Sequence, residues 1–288
     1  MWNRVLFFIL LLLPACAKRP TGEAKEPLCV SVTIEPQRFF VEKIGGGRFK
    51  ANVVVPAGQS PETYDPTPQQ MISIQQSAAY LRIGHLGFEQ VWMEAIRKNN
   101  PGLPVFDLSE GMVWENTGES HAGHSHAADP HIWNSFEGAK IIAYNVLKAF
   151  KALDPKHGAA YEANYIKLTD ALRNTEATVI KMLQPFEGQS FIIYHPTLTY
   201  FAREFHLVQL SVEKEGKEPS PIQMQGLVDQ AKRLRARIAF IQEEFDTKNV
   251  EAVAQETGCR TVTIRPLSYD CMGELLRVAR IFAGENLD

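Results

Sequence analysis

The sequence predicts an α/β fold in which two Rossmann-like lobes are joined by a long rigid helix, with a metal site in the interlobe cleft. Three observations lead to this prediction. From residue 29 onward, short apolar runs typical of strands alternate with amphipathic helical segments, which is the pattern of α/β layering. One long apolar stripe lies in the middle of the chain, and side chains that bind metals follow several of the predicted strands.

The first 27 residues predict export and a lipid anchor. Residues 1–15 hold one basic residue followed by an apolar run too short to cross a membrane as a folded helix, which is typical of a signal peptide. Cys16 resembles the lipobox cysteine of bacterial lipoproteins, although Pro14 is uncommon in that box. The polar residues 16–27 predict a lipidated tether. We expect an extracytoplasmic, membrane-anchored lipoprotein; a plain signal peptide with an incidental cysteine is the alternative.

The composition predicts a soluble body behind this anchor. The chain has 288 residues, of which 45% are hydrophobic and 22% charged, and its formal net charge is −3. This net charge provides no positively charged surface that would favour binding of nucleic acid. We expect a monomer. Apart from Cys16, the cysteines are Cys29, Cys259 and Cys271. Export permits a disulfide, but an odd number leaves one thiol over, and the sequence does not identify a pair.

Residues 28–154 are predicted to form the N-terminal lobe. The predicted strands are Cys29–Ile34, Asn52–Val55 and Ala79–Ile83, and the predicted helices are Arg38–Ile44 and a segment that Ser135 caps and Asp154 closes. Residues 155–187 hold the linking helix, because apolar residues recur there at alternating steps of four and three from Tyr161 to Met182. A helix of about 28 residues is about 42 Å long, which suits a rod between two lobes.

Residues 188–288 are predicted to form the C-terminal lobe, where the alternation resumes. The predicted strands are Phe191–Tyr194, Leu207–Leu210, Ile238–Ile241 and Thr261–Ile264, and the predicted helices are Ile222–Arg235, Lys248–Glu256 and a closing segment that ends near Ala283.

One stretch, residues 119–133, holds four of the eight histidines. Imidazole is a preferred ligand for zinc and other borderline metals. His121, His124 and His126 lie among Ala, Gly and Ser, which predicts either an accessory metal-capturing loop or a solvated loop. His131 follows Asp-Pro and precedes Ile-Trp, a stiff apolar context, so it is predicted as a ligand, with a structural role as the alternative.

Further candidate ligands follow the predicted strands. In open α/β sheets, ligands bind in the loops beyond the carboxyl ends of the strands. Glu62, His195 and Asp270 lie in such loops, and the pair Glu243–Glu244 is a lesser candidate. Because Glu62 and His131 belong to the first lobe and the others to the second, a cleft between the lobes would bring them around one ion.

At these motifs the sequence resembles the ZnuA-like zinc- and manganese-binding solute-binding proteins of bacterial ABC importers. The resemblance covers essentially the whole mature chain and is carried by Asp-Pro-His-Ile-Trp at 129–133, Tyr194-His195, Pro219-Ser-Pro and Pro266-Leu. It implies two α/β lobes bridged by a long rigid helix. It also implies a high-affinity zinc-binding subunit that captures one divalent cation and delivers it to a cognate permease in the membrane.

This chain departs from the family pattern at the first ligand. The family usually has Ser-Pro-His, whereas this chain has Ser-Pro-Glu ending at Glu62. A carboxylate can replace imidazole on zinc at nearly the same distance, so Glu62 either coordinates the ion or leaves a place for water. Asp270, with its neighbour Cys271 as the alternative, would complete the site. Two imidazoles and two carboxylates suit Mn²⁺ or Fe²⁺ better than three imidazoles and one carboxylate do. Such a site nevertheless holds Zn²⁺ more tightly than Mn²⁺ when both are present. Zn²⁺ is therefore the predicted cargo.

Two functions from other classes compete with transport. An exported zinc metallohydrolase would need a base and an open coordination position, and a cell-surface adhesin is compatible with a lipid anchor. The chain has no His-Glu-x-x-His or Gly-x-Ser-x-Gly motif. We therefore predict a binding protein and not an enzyme.

Overall fold

The structure, a computed structural model, describes residues 26–115, 128–213, 217–245 and 247–285. Within these ranges the chain forms two four-stranded sheets, one in each half of the sequence, and every strand pair is parallel. The predicted α/β fold with two lobes is therefore confirmed. The predicted signal peptide, Cys16 and the three accessory histidines, His121, His124 and His126, lie outside the described residues.

The first sheet has the strand order β2-β1-β3-β4. Its strands are β1 (Leu28–Val32), β2 (Phe49–Val53), β3 (Ala79–Arg82) and β4 (Val105–Asp107), and the helices that connect or follow them are α1 (Glu35–Gly45), α2 (Pro68–Gln75), α3 (Gly87–Asn99) and α4 (Phe136–Leu153). The second strand begins three residues earlier than predicted, and the buried Phe49 opens it. The N–H groups of Val54 and Val55, which belong to the predicted strand, nevertheless donate to the carbonyls of Val32, the last residue of β1, and Thr33, the residue after it.

The second sheet repeats this arrangement with the order β6-β5-β7-β8. Its strands are β5 (Ser190–Ile193), β6 (Val208–Ser211), β7 (Ile238–Gln242) and β8 (Arg260–Ile264), and the helices are α6 (Thr199–Glu204), α7 (Pro221–Arg233), α8 (Lys248–Thr257) and α9 (Cys271–Phe282); α5 is the helix between the two sheets. Gly258 ends α8 in the left-handed conformation, which glycine adopts without strain.

The long helix α5 (Gly158–Leu183) has 26 residues, close to the predicted length, and is therefore about 39 Å long. The predicted stripe is the side that packs, because Tyr161, Leu168, Leu172 and Val179 are buried. The helix contacts α1 and α4 of the first lobe and α9 of the second. It thus spans both lobes.

The two sheets share one continuous apolar core. The largest cluster of buried side chains includes Val30 and Phe40 from the first lobe together with Phe191 and Phe240 from the second. A smaller cluster, which includes Ile192 and Val250, covers the other face of the second sheet. A shared core opposes wide separation of the lobes, since separation would expose apolar surface to water.

Two helices of the first lobe, α2 and α3, received no assignment from the sequence. Helix α2 has only eight residues and buries one side chain, Ile74, so its helical periodicity is too short to recognise. Its start is marked by Thr67, whose hydroxyl accepts the N–H of Gln70 at 3.3 Å, and by a proline at the first position. None of the helices in the described part of the chain has the length and apolarity needed to span a bilayer.

Truncating the packed side of α5 should destabilise the protein. Leu172 is 2% exposed, so Leu172→Ala removes buried methyl groups and should lower the free energy of unfolding by about 2–5 kcal/mol. Ile166→Ala is the matched control, because Ile166 lies on the same helix but is 53% exposed, and it should change stability by about 0.5 kcal/mol or less. Urea unfolding followed by circular dichroism measures both; equal losses would contradict the proposed packing of α5.

Candidate metal centre

The candidate site lies where the carboxyl ends of both sheets face each other. Glu62 is in the loop after β2, His131 precedes a short 3₁₀ helix between β4 and α4, and His195 follows β5 by two residues. In parallel sheets all strands end at the same edge, so these loops converge. The cavity they form is also lined by residues of the second lobe, namely Thr197, Gln242, Glu244, Phe245, Pro266 and Leu267.

The structure brings Glu62, His131 and His195 together. Each of them offers one donor atom, and these three atoms all lie within 4.8 Å of one another. The two imidazole rings meet edge to face, with their centroids 4.9 Å apart. Zinc bonds to nitrogen and oxygen are about 2.0–2.2 Å long, so small side-chain movements place all three donors on one ion.

A buried carboxylate orients His131. The Nδ1 atom of His131 lies 2.7 Å from Oδ1 of Asp129, and the backbone N–H of His131 donates to the same oxygen at 2.9 Å. Burial alone would lower the pKa of His131, but the charge and hydrogen bond of Asp129 outweigh it and raise that pKa above its ordinary value. Because the carboxylate accepts the Nδ1 proton, Nε2 is left as the metal-binding atom.

A second carboxylate orients His195 in the same way. Both oxygens of Glu213 lie 3.1 Å from Nδ1 of His195. The backbone N–H of His195 donates to Oε1 of Gln242 at 2.9 Å, and the ring stacks on Phe245 with centroids 4.9 Å apart. Its Nε2 is buried, and no hydrogen-bond partner in the described part of the chain reaches it. A buried imidazole nitrogen without a partner fits a bound cation.

Glu62 is held in place by the backbone of Gly87, which lies close to it. Its Oε2 accepts the N–H of Gly87 at 3.1 Å. A Cβ atom at position 87 would lie 2.6 Å from the carbonyl oxygen of Glu62 and 2.8 Å from Oε2, so only glycine fits there. The other oxygen, Oε1, is buried and has no hydrogen-bond partner among the described residues. It is free to bind an ion beside the two histidines.

The backbone just before Gly87 is fixed by a fully buried acid, Glu89. Its carboxylate accepts the N–H of Ile83 at 3.0 Å, the N–H of Gly84 and the hydroxyl of Thr33. Burial raises the pKa of Glu89 from 4.5 to about 7, and these hydrogen bonds offset only part of that rise. Glu89 therefore positions the loop that holds Glu62, while lying outside the site itself.

The segment that carries His131 is bound by both lobes. The hydroxyl of Tyr200 in the second lobe donates to the carbonyl of Asp129 at 2.8 Å. In the opposite direction, Asn134 Nδ2 donates to the carbonyl of Thr197 at 3.1 Å, and Trp133 Nε1 donates to the carbonyl of Pro266 at 2.8 Å. His131 is consequently 4% exposed. Its position depends on the packing of the lobes against each other.

Asp270 does not join the site, contrary to the sequence prediction. It is exposed and caps α9, with Oδ1 accepting the N–H of Gly273 at 3.0 Å, because a carboxylate at a helix N-terminus satisfies free backbone donors. The alternative, Cys271, is buried inside the helix packing, and burial raises the pKa of its thiol to about 12. Cys29, Cys259 and Cys271 are all free thiols.

The two orienting carboxylates were not among the predicted site residues. Glu213 follows β6 by two residues, so the same strand-end rule that selected His195 would have found it. Asp129 was part of the motif around His131, but its role depends on a side-chain contact that a motif does not display. Of the pair Glu243–Glu244, only Glu244 lines the cavity.

Comparison with known proteins now decides the family. Residues 30–274 match the family described as ZnuA, zinc-uptake complex component A periplasmic. The chain belongs to this family. This confirms the resemblance that the ligand motifs indicated.

Individual relatives of this ZnuA-family chain agree in length and fold. It is 26% identical over 273 residues to the High-affinity zinc uptake system protein ZnuA of Bacillus subtilis (strain 168), covering 89% of this chain and 85% of that protein. It is 25% identical over 269 residues to the Manganese ABC transporter substrate-binding lipoprotein PsaA of Streptococcus mitis, covering 88% and 85%. A crystal structure of ZnuA has a TM-score of 0.83 and 35% identity, covering 91% of this chain and 100% of that chain.

Removing the charge beside His131 should weaken metal binding. Asp129→Asn keeps the size of the side chain but loses the ionised acceptor that orients the imidazole, so we expect affinity to fall by about 10–100-fold. Asp170→Asn is the control, because Asp170 is exposed on α5 and pairs with the exposed Arg173 at 3.0 Å. Competition with a chromophoric zinc chelator measures both, and unchanged affinity in Asp129→Asn would contradict the orienting role.

Glu89 should make stability decrease as pH rises. A carboxyl whose pKa is raised on folding contributes its full stability below 4.5, and this contribution is lost as pH rises through about 7. From pH 4.5 to pH 8, the unfolding free energy of the parent should therefore fall by up to about 3 kcal/mol relative to that of Glu89→Gln. Urea titrations at several pH values measure this difference; a difference independent of pH would show that Glu89 does not titrate in this range.

Proposed function

We propose that this chain is the extracytoplasmic zinc-binding subunit of a metal ABC transporter, which captures one divalent cation and delivers it to a membrane permease. The observation that carries the proposal is the convergence of Glu62, His131 and His195 from two lobes. Both imidazoles are oriented by carboxylates, and the donor atoms left over face one another. Membership of the ZnuA family and the names of the relatives support the same role.

Zinc is the proposed cargo. Two imidazoles and a carboxylate form a donor set typical of zinc, and such a site should hold Zn²⁺ more tightly than Mn²⁺. Manganese is the alternative, because a carboxylate in place of the family's first histidine hardens the donor set and the PsaA relative is named for manganese. Ferrous iron fits the same argument from ligand hardness.

The proposed place of action is outside the cytoplasm, at a membrane face. Residues 1–15 would direct export and lipid on Cys16 would anchor the mature chain; the PsaA relative is named a lipoprotein. The permease is the proposed partner, and the chain would act as a monomer. His121, His124 and His126 are proposed to capture metal as accessory donors.

A binding role fits the site better than hydrolysis. In a hydrolase, Glu62 would stand away from the ion and act as a base on a bound water. Ligation by Glu62 is supported by the hydrogen bond from Gly87 to its Oε2 atom and by a donor atom that lies within 4.8 Å of one from each histidine. We therefore propose that all three side chains coordinate the cargo.

Loss of any of the three donors should weaken zinc binding. The full-length chain in detergent, stripped of metal, should bind one tight zinc per chain and bind manganese more weakly. His131→Ala and His195→Ala should each lose at least about 100-fold in affinity, since removing a ligand costs at least as much as removing its orienting partner. Glu62→Ala should lose at least about tenfold.

His157→Ala is the matched control, because His157 pairs with Asp154 at 2.7 Å at the base of α5 and should leave zinc affinity unchanged. Metal content by mass spectrometry and affinity by chelator competition measure the set. Absence of tight zinc or manganese in the parent would end the transport proposal.

A further inference from the structure

The three donors of the proposed site leave its coordination incomplete. A zinc ion held for transport and shielded from water is most stable with four ligands, as in closed tetrahedral sites. The sequence prediction for the fourth ligand, Asp270, fails because that carboxylate caps α9. The fourth donor must come from another residue of the cavity or from water.

Most polar side chains of the cavity are already engaged. Gln242 accepts the N–H of His195 through Oε1 and donates through Nε2 to the hydroxyl of Thr197 at 3.1 Å. The hydroxyl of Ser60 accepts the N–H of Glu62 at 3.3 Å. Glu213, which is next to the cavity but not part of its lining, has both oxygens on Nδ1 of His195. Gln242 and Glu213 cannot bind an ion without giving up a bond that shapes the site, and the neutral hydroxyls of Ser60 and Thr197 are not among the usual protein ligands of zinc.

Glu244 is a polar residue of the cavity lining that takes no part in the hydrogen bonds just described. It is half-buried and lines the same cavity as Glu62, His131 and His195. Among the described residues, no side chain pairs with its carboxylate by an ion pair or hydrogen bond. Its neighbour Glu243 differs in both respects, because it is exposed and bonded to Arg265 at 2.7 Å.

Glu244 is adjacent in sequence to a residue that contacts His195, one of the proposed ligands. It lies in the turn between β7 and α8, directly before Phe245, whose ring stacks on the ring of His195. Its carboxylate is outside the group of donor atoms that lie within 4.8 Å of one another, so it must move toward the histidines to bind. A turn between a strand and a helix can make such a movement without disturbing the sheet.

We infer that Glu244 is the fourth ligand of the metal site and closes the coordination of the ion with a second carboxylate. This inference rests on the proposed function, since it concerns the same site. The resulting set of two imidazoles and two carboxylates comes from Glu62 and His131 in the first lobe and from His195 and Glu244 in the second. Capture of the ion would then draw the turn after β7 onto the cavity.

The test compares Glu244→Ala with Glu243→Ala in the full-length chain. Glu244→Ala should lose at least about tenfold in zinc affinity, while Glu243→Ala should bind like the parent. A lost ligand also opens a coordination position, which a structural role would not do. In the Co²⁺-loaded proteins, added thiocyanate should therefore shift the visible spectrum of Glu244→Ala but not that of the parent or Glu243→Ala. Glu244→Asp, which keeps a carboxylate, should recover part of the affinity.

The outcomes separate this inference from the proposed function. Zinc binding by the parent, with an unchanged affinity or an unchanged response to thiocyanate in Glu244→Ala, would overturn the fourth ligand and leave the transport role standing. Thiocyanate binding to the Co²⁺-loaded parent would also overturn it, because the fourth position would then belong to solvent. Absence of tight metal in the parent would overturn both.

Discussion

Two carboxylate–imidazole hydrogen bonds are the interactions on which the site depends. Asp129 and Glu213 each accept the Nδ1 proton of one histidine, so both rings present Nε2 for an ion. Without these bonds, each imidazole could rotate or bind through either nitrogen. The two acids are themselves buried, which keeps water from competing for the same protons.

The fold keeps the partners of these two bonds in place because it holds the lobes together. One apolar core extends from the first sheet to the second, and α5 packs against helices of both. Around His131, the hydrogen bonds of Tyr200 and Trp133 join the lobes within a few residues of the ligand. His131 therefore belongs to the first lobe by sequence but is fixed by both lobes. In contrast, Glu62 is held by first-lobe contacts such as that with Gly87.

This difference suggests how an ion can be exchanged without wide lobe opening. The side of the site formed by the two histidines rests on buried side chains and on cross-lobe bonds. The other side consists of the loop after β2 and the turn after β7, and each connects the end of a strand to the next helix. Movement of such loops costs less apolar contact than movement of a lobe.

The α/β class, the long helix and three of the residues that meet in the site follow from local features of the sequence. Alternating apolar runs and the stripe along α5 depend on local periodicity, which a sequence displays directly. Glu62, His131 and His195 were identified because strand ends and stiff motifs are local features too. Helix α2 was missed because one buried residue gives no periodicity.

The rest of the site depends on contacts that form only when the lobes fold. Asp270 had the right chemistry and lies after a strand, yet the start of α9 takes its carboxylate as a cap. Glu213 became a partner of His195 because β6 lies beside β5, and Glu244 reached the cavity because β7 lies on the other side of β5. Neighbouring strands in a parallel sheet are set by the packing of the whole lobe, and residues far apart in the chain meet only after that packing is complete.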